Sequence, residues 1–129
     1  MENDNYVPKH KFDYETVERI RNTDPEIIKP VLPYIFEWLE DINWPVAQEL
    51  VKVLVRFDDL IIPFIKDLIH RPDGLREYSV YFFMLPLLTD TQLTLLKDEL
   101  ERIAYFPSQF ESEEGYFEIA QKYLQKIIE

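Results

Sequence analysis

Apolar residues recur along the chain at intervals of three and four, almost from end to end. That is the spacing of one face of an α-helix, and no strand-length stretch alternates without also fitting it. The pattern predicts an all-α protein cut into short helices by start and stop signals. Residues 1–12 form an extended lead-in, and Asp13 caps a helix to about Arg21, with Val17 and Ile20 inward. Asp24-Pro25 is a cap followed by proline at the first helical position. Pro30 and Pro33 lack an N–H, which divides residues 25–40 into a turn at 25–29 and a fresh helix from about 31 to 40. Asp41-Ile42-Asn43-Trp44-Pro45 is a tight corner with Pro45 in the first turn of a helix to about Arg56. The next helix opens at Asp58 or Asp59 and runs to about His70, with Pro63 in its early turns. Arg71-Pro72-Asp73-Gly74 is a turn, and Leu75 to Leu88 a strongly apolar helix. Thr89-Asp90-Thr91-Gln92 is a capping box that opens a helix to about Ala104. Phe106-Pro107-Ser108 breaks the chain before a last amphipathic helix over about 112–128.

Two stretches resemble each other at an offset of 30 positions. Val31-Leu32-Pro33-Tyr34-Ile35 falls on Ile61-Ile62-Pro63-Phe64-Ile65, and Trp38-Leu39 on Leu68-Ile69. The Asn43-Trp44 turn falls on Asp73-Gly74, and Leu50 and Leu54 fall on Val80 and Met84. Each unit reads as helix, turn, helix, and a third pair without the proline starts at Thr89. One helix pair cannot bury both faces, so neighbouring pairs must stack. The fold class expected is an α-α superhelix, a HEAT-like helical repeat of about three antiparallel helix pairs in one domain over 1–129.

Composition narrows the function. Hydrophobic residues at 47% supply a core without staples, and no cysteine is present to act as nucleophile, disulfide or thiolate ligand. The formal net charge of −11 opposes binding to nucleic acid and to anionic membrane surfaces, and permits a basic partner. The polar segment Met1 to Asp13 has no apolar signal core, and the apolar run Val80 to Leu88 is far short of the roughly 20 residues of a membrane span. A cytoplasmic protein is expected.

Catalytic chemistry is thinly represented. Serine occurs only at Ser79, Ser108 and Ser112, and with 2 glycines there is no phosphate-cradling loop. Asp67 and His70 offer two metal ligands on one helix, without the matching pair such sites draw from other helices. No metal or other cofactor is expected. Glu37, Glu40 and Asp41, and Asp98, Glu99 and Glu101, are acidic clusters that read first as solvated helix faces. Glu15 with Arg19, Asp98 with Arg102 and Glu118 with Lys122 are spaced to pair along their helices. Trp38 and Trp44 flank the corner and read as its closure over the core. The sharpest candidate is a stripe. Gln48, Glu49, Lys52 and Arg56 correspond at the repeat offset to Tyr78, Ser79, Phe82 and Pro86. If the stripe faces outward in both units, Tyr78, Tyr81 and Phe82 form an apolar patch rimmed by Gln48 and Lys52, of the kind that marks an interaction face. The opposing expectation is a central helix covered on both sides.

Three segments carry a family resemblance: Val7-Pro8-Lys9-His10-Lys11, Trp38-Leu39-Glu40-Asp41-Ile42-Asn43-Trp44-Pro45-Val46-Ala47, and the region Glu111–Ala120. They resemble a bacterial family described as domain of unknown function 5071, with Asp41-x-Asn43-Trp44-Pro45-Val46-Ala47 the most specific piece. The resemblance implies a small HEAT-like α-α superhelical domain and brings no activity, cofactor or catalytic residue. The signature corner Asp41, Asn43, Trp44 and Pro45 is expected to be structural.

The function expected is a non-enzymatic protein-binding module, a scaffold or an immunity-type protein that neutralises a toxin, whose partner is another protein of basic character. The alternative is a small hydrolase or metal-dependent enzyme, with Glu37, Glu40, Asp41, Asp58 and Asp59 converging on one cleft. A third possibility, a helical-repeat nucleic-acid enzyme, would have only Lys52, Arg56 and Arg76 for its basic face.

Overall fold

A computed structural model describes residues 5–128. All regular structure among the described residues is helical. The chain gathers into two compact units, one ending at Leu87 and one beginning at Leu88, where the sequence alone suggests one domain over 1–129. Part of the predicted lead-in, residues 1–4, lies outside the described residues. No described helix is long and apolar enough to cross a membrane.

The first unit holds α1 (Tyr14–Arg21), α2 (Pro25–Ile28), α3 (Leu32–Phe36), α4 (Pro45–Leu54), α5 (Ile62–His70) and α6 (Arg76–Ser79). Short 3-10 turns link them at Lys29–Val31, Glu37–Glu40 and Val55–Ile61. The caps match the sequence pattern. Asp13 accepts the Thr16 N–H and Asp24 the Glu26 N–H, and prolines occupy the first turn of α2, α3, α4 and α5. Both α1 and the segment Val80–Met84 pack on α4.

Burial repeats at the 30-residue offset. Val31 and Ile61, Leu32 and Ile62, Ile35 and Ile65, and Leu39 and Ile69 are buried, while Pro33 and Pro63 are exposed. In the second helices Leu50 and Val80, Val51 and Tyr81, and Leu54 and Met84 are buried. Gln48 and Tyr78, Lys52 and Phe82, and Arg56 and Pro86 are exposed. Pro33 and Pro63 each stand second in a helix entered from a 3-10 turn, where the missing N–H would be unpaired in any case.

Several predicted helices are divided. The helix expected from Asp58 or Asp59 becomes regular only at Ile62, because Pro63 must lie in a first turn and Asp58 takes a positive φ of 54°. The helix expected over 75–88 starts at Arg76, widens to a π turn at Val80–Met84 and tightens to a 3-10 turn at Leu85–Leu87. Pro86 cannot donate to the Phe82 carbonyl and its ring crowds that oxygen, so the ladder upstream is re-routed.

The second unit holds α7 (Asp90–Leu95), α8 (Lys97–Tyr105), α9 (Gln109–Glu113) and α10 (Tyr116–Ile128). The Thr89–Gln92 capping box forms. The helix predicted from it bends at Leu96, where the Thr94 hydroxyl donates to the Asp90 carbonyl at 2.7 Å and competes with the backbone ladder. The final helix is preceded by α9, opened by a Ser108–Glu111 capping box and closed at Gly115, whose φ is 77°. α10 packs along α8, and Gln121 donates to the Ala104 carbonyl.

Candidate interaction site

The signature corner is built by short-range polar chemistry. Asp41 Oδ1 accepts the Asn43 N–H at 2.9 Å and the Asp41 carbonyl accepts the Trp44 N–H at 3.0 Å, closing the turn. Pro45 then starts α4. The Val46 N–H, which a helix leaves unpaired, donates to the Lys11 carbonyl at 3.1 Å. The side chain of Gln48 donates to the Ile42 carbonyl. Trp38 and Trp44 meet edge to face, with ring centroids 5.3 Å apart, and both are half-buried. Each of these contacts stabilises the corner.

The stripe separates into residues that stay outside and two that do not, Ser79, 1% exposed, and Tyr81. Tyr78 and Phe82 are 43% and 42% exposed, with ring centroids 4.7 Å apart. Tyr81, expected beside them, is 2% exposed and belongs to the core. It lies three residues beyond Tyr78 and one before Phe82, within the segment Val80–Met84 that packs on α4. The predicted rim is occupied elsewhere: Gln48 serves the corner, and Lys52 pairs with Glu49 at 3.3 Å.

Sequence reasoning missed Leu75, Phe83 and Leu87, which extend the exposed strip. The spacing Leu75, Tyr78, Phe82, Pro86 was a usable signal, since steps of three and four keep residues on one helical face. Tyr105 and Phe106 are more exposed still, but they form only a pair at the end of α8.

Leu75 also lines a depression of about 390 Å³ with Glu37, Glu40, Asp73 and Arg76. A neighbouring depression of about 300 Å³ shares Glu37 and Arg76 and is also lined by Pro33, Phe36, Phe64, Asp67 and Leu68. The Phe36 and Phe64 rings stack with centroids 5.2 Å apart.

The turn below Leu75 is strongly polar. Asp73 Oδ1 accepts the Leu75 and Arg76 N–H groups, and its other oxygen binds the Arg76 guanidinium. Burial alone would raise the Asp73 pKa, but the Arg76 side chain and these two N–H groups prevail and hold it at about 2. Glu77, 1% exposed, accepts the Asp73 N–H at 3.0 Å and the Gly74 N–H at 2.6 Å, and its burial pushes its pKa up.

The carboxylates of the enzymatic alternative do not all meet. Glu37 and Glu40 share a depression, whereas Asp41 is engaged in the corner, and neither depression is lined by Asp58 or Asp59. Asp67, which with His70 offered two ligands on one helix, is bound by the Arg71 guanidinium. Among the described residues no three His, Cys, Asp or Glu side chains gather as a metal site. Of the predicted helical ion pairs, Glu15–Arg19 forms at 3.3 Å. Arg102 turns from Asp98 to Glu111, whose buried carboxylate takes both guanidinium nitrogens. Lys122 lies over the Tyr123 ring.

Compared with known proteins, the chain matches the model of the family described as Domain of unknown function (DUF5071) over residues 6–124. No curated protein matches it.

Proposed function

The chain belongs to the DUF5071 family, and we propose that it is a non-enzymatic protein-binding module which engages another protein through the strip from Leu75 to Leu87. The observation that supports this most is the pair Tyr78 and Phe82, in tilted ring contact yet each more than two-fifths exposed. Full burial of a large apolar side chain is worth about 1.5–3 kcal/mol, and a second surface recovers the part that the exposed ring faces forgo. The helix pairs are read as stacking in the HEAT-like manner, with this strip on an outer face. A net charge of −11 favours a basic partner, as for a scaffold or a toxin-neutralising protein.

The test is a pull-down from the native cell lysate with the wild-type chain and with Tyr78→Ser/Phe82→Ser. A stoichiometric partner lost from the variant, with its helical circular dichroism and melting temperature retained, is the expected result. A partner retained by the variant would remove the strip from the function.

A further inference from the structure

The depression beside Leu75 holds more negative charge than its surroundings neutralise. Four carboxylates line the two adjoining hollows, Glu37, Glu40, Asp67 and Asp73, against the single guanidinium of Arg76. Asp67 is bound by Arg71 and Asp73 by Arg76. That leaves Glu37 and Glu40, which have no ion-pair partner among the described residues. They stand at the two ends of one 3-10 turn, Glu37–Glu40. A 3-10 turn brings positions three apart onto one side, and both residues line the same depression, where like charges repel. A cation placed between them relieves that repulsion.

The adjoining hollow is more apolar: Pro33 is exposed and Phe64 half-buried along it, with Phe36 and Leu68 buried beneath them, and the charged hollow opens at Leu75, the first residue of the exposed strip. We infer that this groove docks a cationic segment of a partner protein, with a Lys or Arg seated between Glu37 and Glu40 and neighbouring large apolar side chains on Leu75, Pro33 and Phe64. The inference rests on the protein-binding reading above and adds the chemistry of the partner. Two adjoining hollows continuous with an aromatic strip suit a segment with alternating charge and apolar bulk better than a single small cation.

The probe is a fluorescein-labelled synthetic peptide of Lys and Leu at helical spacing, followed by anisotropy at physiological salt. Binding by the wild-type chain is expected to weaken about tenfold in Glu37→Gln/Glu40→Gln and less than about twofold in Glu114→Gln/Glu118→Gln. The second variant makes the same change in net charge elsewhere, so equal loss in both would overturn the inference as a bulk-charge effect. Failure of the wild-type chain to bind, or equally tight binding of a Lys peptide without Leu, would overturn it as well. Loss only in Tyr78→Ser/Phe82→Ser would leave the strip standing and remove the groove, and loss in none of the variants would remove both.

Discussion

The carbonyl oxygen of Lys11 accepts the Val46 N–H at 3.1 Å, which joins two segments of the family signature that are far apart in sequence. Pro45 has no N–H, so Val46 is the first donor of α4, and helix geometry provides it no partner. The lead-in thus supplies the cap that Trp44 lacks. The Val46 amide is therefore expected to exchange slowly with solvent, unlike most first-turn amides. Removing residues 1–12 should abolish that protection and cost about 1 kcal/mol or more. Amide hydrogen exchange followed by NMR reads both effects, and fast exchange at Val46 in the intact chain would refute this role.

Ser79 donates its hydroxyl to the Leu39 carbonyl at 2.6 Å across a separation of 40 residues, and both residues are buried. Leu39 sits in the 3-10 turn Glu37–Glu40, so the bond fixes α6 against the turn that carries the groove carboxylates. Ser79→Ala leaves a buried carbonyl without its donor and should destabilise the protein by about 1–2 kcal/mol. Ser112→Ala, on an exposed face, should change stability by less than about 0.5 kcal/mol. Urea denaturation of the two variants makes the comparison.

Two buried glutamates, Glu111 and Glu77, should contribute to pH dependence in opposite senses. In the second unit, burial alone would raise the Glu111 pKa, but the Arg102 guanidinium and the Ser108 N–H outweigh it and hold it below 4.5. Its contribution is complete above pH 4.5 and is lost as pH falls through the lower folded value. In the first unit, burial raises Glu77 above 4.5. Its contribution is complete below pH 4.5 and is lost as pH rises through the folded value, while Asp73 acts in the sense of Glu111, complete above pH 3.8 and lost as pH falls through about 2. Glu111→Gln should weaken protection of α10 amides at neutral pH and flatten their acid response. Glu77→Gln should flatten the loss of protection in α4 between acid and neutral pH. Exchange rates measured from about pH 3 to about pH 7, a span that contains the ordinary carboxylate range, separate the two.

What the sequence makes legible here is local chemistry. The caps at Asp13, Asp24 and Thr89 and the proline entries to α2, α4 and α5 arise from residues within one turn of each other, and the 30-residue offset is such a local pattern written twice. Ser108-x-x-Glu111 was equally legible, and the break read at Pro107 obscured it. Phe83 shows what pattern alone misses. Its repeat counterpart Val53 is buried in a regular helix, but the π turn at Val80–Met84 spreads more residues around one turn, and both Phe82 and Phe83 come out to solvent. The groove was out of reach for another reason. Glu37 and Glu40 meet Asp73 and Arg76 only through packing across more than thirty residues, and no periodicity reports that. Arg102 chose Glu111 over Asp98 because a buried, bidentate partner prevails over a solvated one at helical spacing.

Asp58 and Gly115 make a pair of opposite predictions about the same backbone property. Asp58 has a φ of 54° and a ψ of −125° inside the turn Val55–Ile61, and it is the one described non-glycine residue with positive φ. A side chain in that region costs about 1–3 kcal/mol, whereas glycine occupies it freely and gives back about 0.5–1 kcal/mol in unfolded-state entropy. Asp58→Gly should therefore stabilise the protein by about 1 kcal/mol. Gly115 has a φ of 77° at the end of α9, and a Cβ added there would meet nothing within 4 Å. Gly115→Ala is thus free of clash, and its cost is purely conformational, about 1 kcal/mol of destabilisation. Melting temperatures of the two variants should move apart in opposite directions from the wild type. A fall for Asp58→Gly would mean that the Asp58 side chain contributes more to the turn than its backbone geometry costs.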